Sequence, residues 1–145
     1  MSKILGLDLG TKTLGIAITN ADKTLAVALE NYTFAPHYYQ KARAHVLAIC
    51  QKENISEIAL GYPLNTDGSV GERARSAERF RDDLLKEGSP PIVLINETYT
   101  TLEANEELKR LGYKKEQIKA KIDAVAAKYI LETYLEQRRK NNARK

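Results

Sequence analysis

Runs of apolar residues separated by polar turns divide the chain into strand-like and helix-like segments. Three strand-like runs come first, and two short, continuously apolar runs of the kind found in buried parallel strands come later. The pattern predicts three antiparallel strands in a meander, followed by two parallel strands. The five predicted strands are residues 4–9, 14–19, 24–33, 55–61 and 92–96.

Segments with helical spacing lie between and after the later strands. The last of them places Ile118, Ile122, Val125 and Tyr129 along one stripe. Thr100 and Glu103 have the spacing of a capping box at the start of the third helix, which ends at Gly112. The order of elements predicts an α/β fold with a five-stranded mixed sheet and helices on both of its faces. The predicted helices are residues 38–52, 72–87, 100–112 and 115–139.

Length and composition limit the class of protein further. The chain has 145 residues, which suits a single domain, here residues 1–137, followed by a basic and flexible tail, residues 138–145. Neither a membrane span nor a signal peptide is evident. Cys50 is the only cysteine, and we expect it to be a buried, inert thiol in a cytoplasmic protein. The net charge is +4, and its excess of Lys and Arg lies after residue 100, which favours a nucleic-acid partner.

Asp8 is the most informative residue, because it interrupts the apolar first strand. A carboxylate in a buried strand is costly unless a cation or hydrogen-bond donors compensate its charge. The turn that follows, Gly10-Thr11-Lys12, offers backbone N–H groups and an ammonium to a phosphate. Because Asp is also common in tight turns for purely local reasons, the hairpin alone leaves both interpretations open.

Two more acids are placed where they could join Asp8. Glu97 follows the carboxyl end of the last strand, which is where ligands gather in open α/β sheets. Asp123 lies in a helical stretch of small residues that can press closely on a sheet. Three carboxylates brought together repel one another, and one or two divalent cations such as Mg²⁺ resolve that conflict. Such ions can activate a water and stabilise the leaving oxygen of a phosphodiester.

Four motifs in this order resemble those of the YqgF-type (RuvX) family, which is related to Holliday-junction resolvases and associated with nuclease processing of precursor 16S rRNA. They lie at residues 6–12, 61–69, 96–101 and 123–127, so the resemblance runs almost end to end. It implies an RNase H-like fold and a site that maps onto Asp8, Glu97 and Asp123 as catalytic and metal-binding residues. The family usually has Asp-Glu where this chain has Asn96-Glu97, so Asn96 is not expected to be an essential ligand.

The resemblance implies a nuclease dependent on Mg²⁺ or Mn²⁺ that processes the 5′ end of precursor 16S rRNA, with RNA in ribosomal particles as the partner. The predicted nucleic-acid contacts lie in the first turn, in the polar loop after the fourth strand and at the start of the third helix. They are Gly10, Thr11, Lys12, Asn65, Ser69, Thr100 and Thr101. Neither His37 nor His45 is expected at the site, because both precede the fourth strand, away from the strand ends.

Three alternatives stay open on the sequence. The chain could be a non-catalytic module that binds RNA or the ribosome, or a resolvase that acts on branched DNA by the same mechanism. An ATPase of the actin and sugar-kinase type begins with a similar hairpin, but it needs two such domains around a cleft. The sequence does not decide between one metal ion and two, or between a monomer and a dimer.

Overall fold

The computed structural model describes residues 2–97 and 100–143, without the side chains of residues 100 and 101. Over these residues the strands and helices follow one another in the predicted order. The strands are β1 (Lys3–Leu9), β2 (Thr13–Thr19), β3 (Ala26–Thr33), β4 (Ile55–Tyr62) and β5 (Ile92–Asn96). The helices are α1 (Tyr39–Lys52), α2 (Glu72–Lys86), α3 (Thr100–Arg110) and α4 (Lys115–Ala143).

The five strands form one mixed sheet in the order β3-β2-β1-β4-β5. β3, β2 and β1 are antiparallel, whereas β1, β4 and β5 are parallel. The predicted mixed sheet is therefore confirmed, and β1 lies at its centre. Every residue of β1 except Lys3 is buried, which is why the strand is so apolar apart from Asp8.

The two faces of the sheet bury different kinds of side chain. One face presents large aliphatic residues, among them Leu5, Leu7 and Ile16, to α1 and α2. The other face, toward α4, presents small residues such as Gly6, Ala17 and Ala59 together with Ile4 and Ile95. At Gly6, a Cβ atom would lie 2.8 Å from Leu131 Cβ and 2.9 Å from the Ala127 carbonyl oxygen. Asp8 lies two residues after Gly6 and therefore faces α4.

Helix α4 packs against both the sheet and α3. Of its residues with helical spacing, Ile118 is buried, whereas Ile122, Val125 and Tyr129 are half-buried. The small residue Ala127 lies against Gly6 of β1, as expected for the stretch of small residues that includes Asp123. The α4 residues packed on the sheet are Ala127, Ile130, Leu131 and Leu135.

Helix α4 also extends beyond its predicted end at Arg139 to Ala143. Arg138, expected in a flexible tail, forms an ion pair with Glu57 of β4. Tyr134 donates a hydrogen bond to the same carboxylate at 2.7 Å. These contacts anchor the end of the helix to the sheet, so the basic residues up to Ala143 continue the helix.

The third strand begins at Ala26 rather than at residue 24. The side chain of Asn20 accepts hydrogen bonds from the backbone N–H groups of Thr24 and Leu25, which keeps both residues in the turn.

Cys50 is buried, as predicted, and burial raises the pKa of its thiol to about 11. Among the described helices, none has both the length and the apolar character needed to cross a membrane.

Candidate active site

Asp8 lies in β1 between strands that place a glycine close to it on either side. Gly15 of β2 is its direct partner in the antiparallel pair. In the parallel pair, Leu7 of β1 is opposite Leu60 of β4. Asp8 and Gly61 are the next residues of the two strands, so Gly61 lies beside Asp8. Glycines at these positions leave open space on the α4 face of the sheet beside Asp8. Glu97 and Asp123 occupy that space.

Glu97 reaches Asp8 across Gly61. It directly follows β5, and its backbone N–H donates to the Tyr62 carbonyl at 3.4 Å. A Cβ atom on Gly61 would lie 2.6 Å from both Cδ and Oε1 of Glu97, so the carboxyl group fills the space that the glycine leaves. The Asp8 and Glu97 carboxyl groups are hydrogen-bond neighbours, and both side chains are buried.

Asp123 approaches from the other side, through Gly15. A Cβ atom on Gly15 would lie 1.9 Å from the backbone carbonyl oxygen of Asp123, so only glycine permits α4 to come this close. The Asp123 side chain is half-buried, and its charge is near enough to act on Asp8. The fold therefore gathers three acids from separate parts of the chain beside the carboxyl end of β1.

The electrostatics of Asp8 are those of a buried acid with incomplete compensation. The pKa of Asp8 is raised from 3.8 to about 6, and desolvation is the largest cause. The hydrogen bond with Glu97 lowers the pKa, the charge of Asp123 raises it, and the charge of Arg73 lowers it. Asp8 Oδ1 is buried and has no hydrogen-bond partner among the described residues. A buried carboxylate oxygen with an unused lone pair is a suitable ligand for a hard divalent cation.

The three acids do not form a closed set of ligands. Within residues 2–97 and 100–143, no three His, Cys, Asp or Glu side chains lie together as a metal-ion cage. Asp8 and Glu97 touch, whereas Asp123 contributes its charge from the edge of the site. This arrangement fits Mg²⁺, which retains several waters and needs only one or two protein carboxylates.

Arg73 is a site residue that sequence reasoning missed. It lies in the first turn of α2, and its Nη2 donates to the carbonyl of Leu9 at 3.3 Å, next to Asp8 in β1. It also lines a cleft of about 780 Å³ with Glu97 and the loop at residues 63–67. An arginine in an exposed first turn looks like an ordinary solvated charge in the sequence. Only the placement of α2 on the sheet, which brings Arg73 to the Leu9 carbonyl at the end of β1, reveals its position.

The turn at residues 10–12 closes the hairpin, as predicted, with the Gly10 N–H donating to the Thr13 carbonyl at 2.8 Å. The prediction that His37 lies away from the strand ends is wrong. The segment after β3 folds back across the turn, and the His37 N–H donates to the Thr11 carbonyl at 2.8 Å. His45 instead pairs with Glu30, on the side of the sheet covered by α1.

The polar loop after β4 is held together by its own side chains. Asn65 Nδ2 donates to Ser69 Oγ at 2.9 Å, and Ser69 Oγ donates to Asp67 at 2.6 Å. The hydrogen bonds that Asp67 accepts from the side chain and backbone of Ser69 hold the pKa of Asp67 below its ordinary value. Asn65 lines the cleft beside Glu97. The nucleic-acid contacts predicted for Asn65 and Ser69 stay predictions, and those for Thr100 and Thr101 fall on side chains outside the described part of the chain.

Comparison with solved structures defines the fold class. The fowlpox virus Holliday junction resolvase superposes with a TM-score of 0.57 at 15% sequence identity, covering 93% of this chain and 99% of that one. The central mixed sheet with helices on both faces is thus the RNase H-like fold of the resolvases.

Sequence comparison then defines the family. Residues 2–137 match the RuvX family, which is described as Holliday junction resolvase, and the chain belongs to that family. A protein of Chloroflexus aurantiacus named "Putative pre-16S rRNA nuclease" is 38% identical over 138 residues, covering 95% of this chain and 89% of the relative. A protein of the same name from Lachnospira eligens is 36% identical over 139 residues, covering 95% and 99%. The family description and the relatives' names both denote nucleases, which is the class of enzyme to which this chain belongs.

Proposed function

We propose that this protein is a divalent-metal-dependent phosphodiesterase whose catalytic residues are Asp8, Glu97 and Asp123. One observation supports the proposal above the others. Two carboxyl groups are buried against each other at a strand end, and one oxygen of Asp8 has no hydrogen-bond partner among the described residues. Such a pair is unstable when both acids are ionised, and a cation between them removes the repulsion.

Asp8 and Glu97 would hold Mg²⁺ or Mn²⁺, with Asp123 completing the site directly or through water. When bound, the ion supplies positive charge that activates a water and stabilises the leaving oxygen of the phosphodiester. The role of the protein is to fix the acids. Gly61 and Gly15 leave the space for Glu97 and for the α4 backbone, and the surrounding aliphatic residues exclude bulk water.

Arg73 and the first turn would bind the nucleic-acid backbone. The Arg73 guanidinium is fixed by Leu9 and faces the same cleft as Glu97, so a phosphate held there lies beside the acids. The backbone N–H of Thr11 and the ammonium of Lys12 would contact a neighbouring phosphate, while the Gly10 N–H closes the turn through the Thr13 carbonyl. We assign these roles to one nuclease domain, residues 1–137, with the basic residues 138–145 adding a looser, salt-sensitive contact.

Precursor 16S rRNA is the substrate that we infer, because relatives sharing more than a third of their residues with this chain are named for it. Its 5′ end is the processing site that the resemblance of the motifs implies. The reaction would then take place in the cytoplasm, on ribosomal particles. A four-way DNA junction is the second candidate, since the family is described as Holliday junction resolvase.

Cleavage of two labelled substrates tests this function. The purified protein is incubated with an RNA that spans the 5′ processing site of precursor 16S rRNA, and separately with a four-way DNA junction, in Mg²⁺, in Mn²⁺ and in EDTA. We expect metal-dependent cleavage of the RNA. Arg73→Ala should raise the KM about tenfold, because a hydrogen bond to a charged group is lost. Arg75→Ala, an exposed neighbour on the same helix, is the matched control and should leave KM unchanged.

The outcomes of this assay separate the alternatives. Cleavage of the junction but not of the RNA would assign the protein to DNA resolution. Binding of RNA without turnover in either metal would make it a non-catalytic RNA-binding module. Equal KM values for the Arg73 and Arg75 variants would remove Arg73 from the binding surface.

A further inference from the structure

Asn31 connects the edge strand β3 to the turn of α4 that includes Asp123. It is the partner of Gly15, which is in turn the partner of Asp8, so the three residues form a row across β3, β2 and β1. The Asn31 side chain crosses to the helix. The Ala124 N–H donates to its Oδ1 at 2.6 Å, and its Nδ2 donates to the Ala120 carbonyl.

These two backbone groups are the pair that an α-helix joins to each other, since the N–H of each residue bonds to the carbonyl four residues earlier. A carboxamide presents one acceptor and one donor side by side, so it can satisfy both groups at once. Asn31 is therefore hydrogen-bonded to one particular turn of α4. That turn includes Asp123, the residue directly before Ala124.

These two hydrogen bonds lie where the backbone of α4 approaches Gly15 of β2 closely. A Cβ on Gly15 would collide with the Asp123 carbonyl, so the helix backbone rests on Gly15 while Asn31 holds it from the adjacent strand. Other polar bonds between α4 and the sheet, from Tyr134 and Arg138 to Glu57, lie near the far end of the helix. Tyr134 is eleven residues from Asp123, about 16 Å along the axis.

We propose that Asn31 is a positioning residue that sets the distance of Asp123 from Asp8, and thereby the affinity of the acidic site for a divalent cation. The inference rests on the proposed function, because it gives Asn31 a purpose only if the acids hold a metal ion. Asn31 is not a catalytic residue, since its bonds go to the backbone of α4. Its effect on the site is transmitted through the orientation of one helical turn.

Titration of Mn²⁺ into the EDTA-stripped full-length protein, followed by calorimetry without nucleic acid, tests the inference. Asn31→Ala should weaken Mn²⁺ binding about tenfold, the loss typical of a group that orients a metal ligand. Tyr134→Phe is the control: it removes one hydrogen bond between α4 and the sheet, away from Asp123, and should leave the Mn²⁺ affinity unchanged. A second readout compares hydrogen exchange in the two proteins: the Ala124 amide should exchange faster in Asn31→Ala than in the wild-type protein, because the bond to Asn31 is lost.

The possible failures are distinguishable. If the wild-type protein binds Mn²⁺ and Asn31→Ala binds it equally well, the positioning role is overturned while the metal site stands. Equal exchange rates of the Ala124 amide in the wild-type protein and in Asn31→Ala also overturn it, because the side chain of Asn31 then does not hold that amide in solution. If the wild-type protein binds no Mn²⁺, the proposed metal site fails and this inference fails with it.

Discussion

Asp8→Asn should reduce cleavage at least about a hundredfold, while the variant folds normally and still binds RNA. Mutation of a residue that only orients a metal ligand typically lowers metal affinity or activity ten- to a hundredfold, so mutation of a direct ligand should lower activity at least as much. Asparagine keeps the shape of the side chain but removes the charge that would hold the cation. The measurement is single-turnover cleavage in saturating Mg²⁺. Asp22→Asn, the same change at an exposed turn, is the control and should cleave at the wild-type rate.

The same variant should be more stable than the wild-type protein when metal is absent and the pH is high. Burial raises the pKa of Asp8 from 3.8 to about 6, so the folded state holds its proton more tightly than the unfolded state does. The tighter binding of this proton stabilises the folded state below pH 4, and the stabilisation is lost as the pH rises through 6. Above pH 6 the buried, ionised Asp8 lowers the free energy of unfolding by about 3 kcal/mol relative to its value below pH 4. Asparagine carries no charge, so Asp8→Asn removes this penalty.

Thermal unfolding in EDTA at pH 8 and at pH 4 measures this effect. We expect the variant to have the higher Tm at pH 8, and the difference to shrink at pH 4. Mg²⁺ should raise the Tm of the wild-type protein at pH 8 and leave that of the variant unchanged.

Full cleavage activity in Asp8→Asn, at matched purity, would refute the assignment of Asp8 as a catalytic residue.

Gly15→Ala should destabilise the protein by about 3 kcal/mol or more and also impair catalysis. The added Cβ would lie 1.9 Å from the Asp123 carbonyl oxygen and 2.2 Å from its carbon, both of which are backbone atoms that no rotamer change can move. Overpacking a tight interface costs about 1–3 kcal/mol, and occasionally more. Relief requires α4 to move away from the sheet, and a displacement of about 1 Å at an active site can cost a hundredfold in rate.

Gly88→Ala supplies the comparison for this change. Gly88 has a φ of +93° and nothing within 4 Å of a Cβ, so alanine there meets only backbone strain, worth about 1–2 kcal/mol. Urea unfolding and cleavage rates are measured for both variants. A Gly15→Ala protein no less stable than Gly88→Ala, with wild-type activity, would show that α4 does not need its close approach to the sheet.

The sheet and the identity of the central acid were predictable from the sequence because each depends on local pattern. β1 is apolar at nearly every position, so Asp8 stands out as the residue that needs an explanation. The position of Glu97 follows from a general rule about strand ends. The sheet, its order of antiparallel and parallel strands and its flanking helices are all confirmed.

The arrangement around the acids was not predictable, because it depends on which residues become neighbours across strands. Gly15 and Gly61 look like ordinary strand glycines until the register places them beside Asp8. Helical spacing alone does not specify which α4 residues meet the sheet, since α4 packs against both the sheet and α3. Asn31 and Arg73 were missed for the same reason: each acts on a segment distant in sequence, and neither belongs to a motif.

Anomalous difference maps from crystals soaked in Mn²⁺ would show whether the acids hold a cation. We expect a Mn²⁺ peak between the carboxyl groups of Asp8 and Glu97, with Asp123 turned toward it. A map in which these two carboxyl groups stay in direct contact and no Mn²⁺ lies near them, at a concentration that supports cleavage, would contradict the proposed metal site.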